Sequence, residues 1–180
     1  MAPVLQWGAM PFCTTRMSTI IEIRIAELFV GNQSYTMVSN GIGSCIVIIF
    51  YDRLTGLGGM AHAILPHAKN SPDRTTPFAP DSEGRFFAKY ADQAVDILLE
   101  KIEELGGVRE HLVAKLVGGA HMFALLEGDQ YGVGFENTEA ARKRISELGI
   151  TIEKEVVGGT VGRNVRFDCR TGIVEITTRV

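Results

Sequence analysis

Cys45 stands between the turn Gly41-Ile42-Gly43-Ser44 and the apolar run Ile46-Val47-Ile48-Ile49-Phe50-Tyr51. Two glycines give the backbone access to positive φ and to close approach, whereas a β-branched apolar run reads as a buried strand. The thiol is thus presented where a pliable turn enters a rigid sheet, a position suited to a nucleophile. A thiol at its ordinary pKa of about 8.5 is only a few per cent ionised at neutral pH, so it needs a base. His62 can supply one. Residues 57–65 alternate as a strand after the turn Asp52-Arg53-Leu54-Thr55-Gly56, and a hairpin would return His62 to the side of Cys45. This pair predicts cysteine-dependent acyl chemistry, with the backbone N–H groups of the Gly43-Ser44-Cys45 turn facing the oxyanion. Such chemistry calls for no metal or organic cofactor, because the thiol supplies covalent catalysis and the imidazole proton transfer. Each residue alone has a plainer reading: a cysteine before an apolar strand is usually a small buried hydrophobe, and a lone histidine a satisfied structural one.

The elements that must hold this pair follow from periodicity. Residues 21–25, Ile-Glu-Ile-Arg-Ile, alternate at period two and predict a half-buried strand. Residues 35–38 predict a short strand and Ser39 follows it. From Lys89, the residues Ala91, Val95, Leu98, Ile102 and Leu105 recur at helical spacing, with Gly106-Gly107 as the stop. Residues 112–117 predict a strand that ends at Gly118-Gly119. Asn137 is expected to cap a second helix running to Leu148. Residues 151–157 form a further strand, and residues 165–168 and 173–178 pair as a C-terminal hairpin across Cys169-Arg170-Thr171-Gly172. About seven strands and two main helices predict an α+β (mixed α/β) layered domain. Residues 67–87 carry three prolines and no apolar period; substrate contact and a mobile insertion are both compatible with such a stretch.

The remaining signals mostly exclude. A chain of 180 residues with 46% hydrophobic and 22% charged residues fits one domain, and a net charge of −3 gives no electrostatic footprint for nucleic acid. Three scattered cysteines fit neither a disulfide framework nor a cysteine-rich zinc site, and agree with a reducing cytoplasm. No apolar stretch is long enough to predict a membrane span. His67, His111 and His121 have no metal-like spacing with Cys45 and read as surface or near-surface polar residues. Gly41-Ile42-Gly43 is not a dinucleotide fingerprint, since the third glycine is absent and a strand follows. Residues 1–19 lack periodicity and are expected to form a flexible extension that includes Cys13, with either Met1 or Met17 as the natural start; residues 20–180 then form the single domain.

The stretches Gly43-Ser44-Cys45, Gly58-Gly59-Met60-Ala61-His62 with Leu65-Pro66, Lys89-Tyr90-Ala91-Asp92, Lys115-Leu116-Val117-Gly118-Gly119-Ala120, and Val157-Gly158-Gly159 with Gly162-Arg163 resemble the CheD family of chemoreceptor glutamine deamidases. Five spaced motifs in one order, from about Ile20 to the C-terminus, are far more specific than any one, and they turn both plain readings of Cys45 and His62 around. The resemblance implies a layered sandwich of mixed β-sheets with helices packed outside, shared with toxin cysteine deamidases. It implies deamidation of receptor glutamines to glutamate with release of ammonia, in the cytoplasm. It also implies a triad in which a threonine six residues before the cysteine takes part; Ser39 occupies that position here, keeping the hydroxyl and losing the methyl that restricts χ1. Glu136 stands where the family usually has arginine. The implied partners are chemoreceptor cytoplasmic domains as substrate and a CheC-type phosphatase. The second reading is therefore a binding module, non-catalytic or of dual role, that regulates that phosphatase.

Overall fold

The computed structural model describes residues 18–68, 80–121 and 132–179. Most of the expected extension, with Cys13 and the choice between Met1 and Met17, and much of the proline-bearing stretch 67–87 lie outside the described residues. Ser18 and Thr19 do not lie loose: Thr19 opens the first strand, beside Tyr35, and the Thr36 hydroxyl donates to Ser18 Oγ at 2.8 Å.

Among the described residues, ten strands form two sheets. The smaller, in the order β1-β3-β9-β10, contains β1 (Thr19–Glu22), β3 (Tyr35–Ile42), β9 (Gly162–Asp168) and β10 (Ile173–Arg179). The larger, in the order β6-β2-β5-β4-β7-β8, contains β2 (Glu27–Gly31), β4 (Ile46–Asp52), β5 (Gly58–Ala63), β6 (Phe86–Phe87), β7 (Leu112–Gly118) and β8 (Thr151–Val157). The pairs β1–β3 and β7–β8 are parallel and the others antiparallel, so both sheets are mixed. Helices α1 (Ala91–Glu104) and α2 (Val133–Glu147) cover the outer face of the larger sheet. The result is three layers, small sheet, large sheet, helices, as the sequence predicts for an α+β sandwich.

Strand β4 explains the layering, because all seven of its residues are buried. Side chains alternate across a strand, so Ile46, Ile48 and Phe50 join the helix-side core with Leu98, Ile102 and Ile145, while Val47, Ile49 and Tyr51 join the inter-sheet core with Met37, Met60 and Phe167. A continuous apolar run is what a strand buried on both faces requires.

The expected elements are present with altered bounds. The predicted strand over residues 21–25 stops at Glu22; Ile23 is buried, but Ile25 is exposed because the chain bends at Ala26, which has φ of 63°. That bend carries the chain from the small sheet to the large one and starts β2, a strand that no glycine or proline announces. Strand β3 runs on to Ile42 through a register shift between Ser39 and Ile42. The predicted helix stripe is buried at Ala91, Val95, Leu98 and Ile102, whereas Leu105 lies past the helix end and is exposed. Asn137 is not a cap: α2 begins at Val133 behind Gly132, and Asn137 is an interior, fully buried residue of it.

Candidate active site

Cys45 and His62 lie on one face of the large sheet. In the β4–β5 hairpin Ile46 lies opposite Ala63 and Val47 opposite His62, so Cys45 and His62 are diagonal neighbours on the inter-sheet face. Diagonal positions have Cα atoms roughly 7 to 8 Å apart, within reach of a ring and a thiol leaning toward each other. The hairpin expected from the turn at Asp52 to Gly56 is the element that does this. Asp52 anchors it, accepting from the amides of Leu54 and Thr55.

Ser39 arrives from the other sheet. Its Oγ lies 2.9 Å from His62 Nδ1 and donates to the Ile23 carbonyl oxygen at 2.7 Å. A serine hydroxyl has one proton, and the carbonyl takes it, so the oxygen accepts from the ring and Nδ1 carries the hydrogen. The tautomer is thereby fixed with its lone pair on Nε2. That atom is buried and has no hydrogen-bond partner among the described residues. A base with its proton-accepting atom unspent on the Cys45 side of the sheet is what proton abstraction from a thiol needs.

Burial sets the charge states. His62 is fully buried, and desolvation pulls its pKa down to about 4, against the Ile23 carbonyl, which favours the charged ring. Burial also pushes the Cys45 thiol up, offset in part by its own backbone N–H directed at the sulfur. The resting pair is therefore a neutral thiol beside a neutral imidazole. Cys169, fully buried in the inter-sheet core, is pushed up to about 12 by burial and the nearby Asp168.

The backbone around Cys45 is held from three sides. The Cys45 carbonyl accepts from Gly119 N at 2.7 Å, and the Gly43 carbonyl from Ala120 N at 2.9 Å. Gly118 has φ of 126°, and a Cβ there would collide with the Cys45 carbonyl oxygen. Gly118-Gly119 is thus a close approach as well as a strand end. Gly134, in the first turn of α2, has the same need, since a Cβ would press on the carbonyl oxygens of Gly119 and Ala120. Arg163 lies opposite Ile42 and donates to the carbonyls of Gly118, at 3.3 Å, and Gly158, at 2.7 Å, tying the ends of β7 and β8 to the small sheet. Asn137 Nδ2 donates to the Ser44 carbonyl at 2.9 Å and to the Ile64 carbonyl at 3.0 Å. Apart from the Cys45 amide against its own sulfur, the amides of Gly43, Ser44 and Cys45 have no acceptor among the described residues, which leaves them available to an oxyanion.

Of the sequence-predicted site residues, Cys45, His62, Ser39, Gly43 and Ser44 are all brought to this end of the sandwich. His67 pairs instead with Asp92 at 3.2 Å, and His111 faces Asp52, beside Leu112, at the opposite end of β4. Asn137 and Arg163 are the residues whose contacts the sequence did not disclose. For Asn137 a signal existed: it lies four residues before Ala141 and eight before Ile145, on the buried stripe of α2.

The family model "CheD chemotactic sensory transduction" matches residues 66–178, beginning just beyond the strand that carries His62. The "Probable chemoreceptor glutamine deamidase CheD" of Pyrococcus abyssi is 35% identical over 160 residues, covering 89% of this chain and 92% of that protein. The "Chemoreceptor glutamine deamidase CheD" of Halalkalibacterium halodurans is 37% identical over 164 residues, covering 90% and 95%. Among solved structures, Bacillus licheniformis hypothetical protein YfiH aligns with a TM-score of 0.41 at 14% identity, covering 72% of this chain and 49% of that one. Matches that run nearly the full length of both chains, together with a model spanning more than half of this one, leave one assignment: the chain belongs to the CheD family.

Proposed function

We infer that this protein is a chemoreceptor glutamine deamidase, with Cys45 as nucleophile, His62 as acid and base, and Ser39 orienting the ring. The observation that carries this reading is the hydrogen-bond chain from His62 Nδ1 through Ser39 Oγ to the Ile23 carbonyl, which leaves Nε2 unpartnered on a ring diagonal to Cys45 across the β4–β5 hairpin. His62 Nε2 takes the thiol proton as the sulfur bonds to the carboxamide carbon, and the carbonyl π electrons move to oxygen. That oxyanion is received by the amides of the Gly43-Ser44-Cys45 turn. On collapse the C–N bond breaks, His62 returns its proton to the leaving nitrogen, and ammonia departs from a thioester. Water, deprotonated by the same imidazole, then displaces the sulfur and leaves a glutamate side chain on the receptor. The relatives' names supply the substrate; the residues supply cysteine acyl chemistry.

Ammonia release from a chemoreceptor cytoplasmic fragment tests the reading. Wild type is expected to release it, and Cys45→Ala to release none while unfolding at the same temperature; release by Cys45→Ala would overturn the mechanism. Receptor cytoplasmic domains as substrate imply a cytoplasmic protein, and no described helix is long and apolar enough to cross a membrane. A CheC-type phosphatase is the second partner in this reading. Retained phosphatase binding by Cys45→Ala would separate docking from chemistry.

A further inference from the structure

Asn137 makes contacts that helix stability does not call for. It lies in the interior of α2, fully buried, and its Oδ1 has no partner among the described residues. Asparagine is a poor residue for a helix interior, and a buried acceptor left unpaired is costly. Packing alone would favour an apolar side chain. What the two Nδ2 bonds accomplish is positional. Ser44 immediately precedes Cys45, and Ile64 lies two residues beyond His62, so one amide group ties the turn presenting the thiol to the strand presenting the imidazole.

The bond to Ser44 has a longer reach. The Ser44 C=O and the Cys45 N–H are opposite ends of one planar peptide unit, so holding the oxygen fixes the direction of the N–H. That N–H has no backbone acceptor among the described residues and belongs to the residue whose thiol would add to a carbonyl, so it lies next to where the oxyanion forms. We propose that Asn137 is a positioning residue that aims the Cys45 N–H at the developing oxyanion by gripping the far end of the same peptide unit. The assignment rests on Cys45 being the nucleophile.

An oxyanion donor assists addition to a carbonyl and contributes nothing to displacement at an sp³ carbon, which develops no oxyanion. The two reactions of Cys45 therefore divide positioning from general damage. In Asn137→Ala and in the bulkier apolar Asn137→Leu, kcat for ammonia release from a chemoreceptor cytoplasmic fragment is expected to fall by roughly 10- to 100-fold with KM within about threefold. Alkylation of Cys45 by iodoacetamide should stay within about threefold of wild type, because it uses the thiol without the oxyanion site. A parallel fall in both rates, or unchanged turnover, would overturn the proposal. Failure of both variants to fold would make Asn137 a residue of the fold and overturn it equally. Cys45→Ala, assayed alongside, keeps the two layers apart: ammonia release by that variant removes Cys45 as the nucleophile on which the assignment rests, whereas silence in it with full turnover in the Asn137 variants removes only the role of Asn137.

Discussion

A neutral thiol beside a neutral imidazole and a preformed thiolate–imidazolium pair titrate differently, which makes the charge state of Cys45 and His62 measurable. An ion pair would alkylate at a rate nearly flat from mildly acid to mildly alkaline pH. With the Cys45 thiol pushed up by burial, its alkylation by iodoacetamide should instead climb through pH 7 to 9, and still outrun that of Cys169, which is fully buried and pushed up to about 12. A flat profile would indicate the ion pair. Ser39→Ala removes the oxygen that holds Nδ1, and turnover should drop by about 10- to 100-fold, roughly 1.4 to 2.7 kcal/mol of transition-state stabilisation, with Cys45 still alkylatable. Ser39→Thr should leave turnover near wild type or raise it, the added methyl limiting χ1. It also has to fit a position with no exposed surface, so thermal unfolding should be followed in parallel. The placement of Cys45 and His62 along one hairpin was legible in the sequence because a glycine turn, an apolar run and a returning strand are local facts. Their protonation was not, since it depends on burial by the small sheet, and that layer comes from residues far away in the chain.

Among elements, the turn at the end of β7 is the most exacting. Gly118 holds φ of 126° against the Cys45 carbonyl. Gly118→Ala should lower stability by roughly 2 to 4 kcal/mol and abolish ammonia release, because the clash falls on backbone that cannot swing away. Chemical denaturation with the activity assay would check both; full activity at unchanged stability would contradict the described contact. Periodicity disclosed β4, β5, β7, α1 and the β9–β10 hairpin, whose signals lie within about a dozen residues. It missed β2, which starts at an alanine of positive φ, and the first turn of α2, where Gly132-Val133-Gly134 lacks a capping side chain and has its glycine for packing against Gly119 and Ala120. Asn137 looked like a cap for that reason, and its grip on Ser44 and Ile64 involves partners 93 and 73 residues away, a relation no local pattern carries.

At the scale of the molecule, the buried neutral His62 couples chemistry to acid stability. Its folded pKa, about 4, lies below the ordinary value of 6.5, so between those values the unfolded chain binds the proton and the folded one does not. Stability from this residue is therefore complete above pH 6.5 and is lost as pH falls toward 4, by on the order of 3 kcal/mol in full. His62→Gln should flatten the fall in unfolding temperature between pH 7 and 4.5; an equal fall in both proteins would remove His62 as its cause. The small sheet has a second effect through the relay that ends on Ile23. The thiol and imidazole belong to the large sheet, but the hydroxyl and carbonyl that choose the imidazole tautomer lie in and beside the strands of the small one. A nascent chain with only its large sheet assembled would carry both reactive groups and no defined base. With Cys45 and His62 as the reacting pair, the enzyme is latent until its two sheets close, and return of turnover during refolding marks the closing of the sandwich.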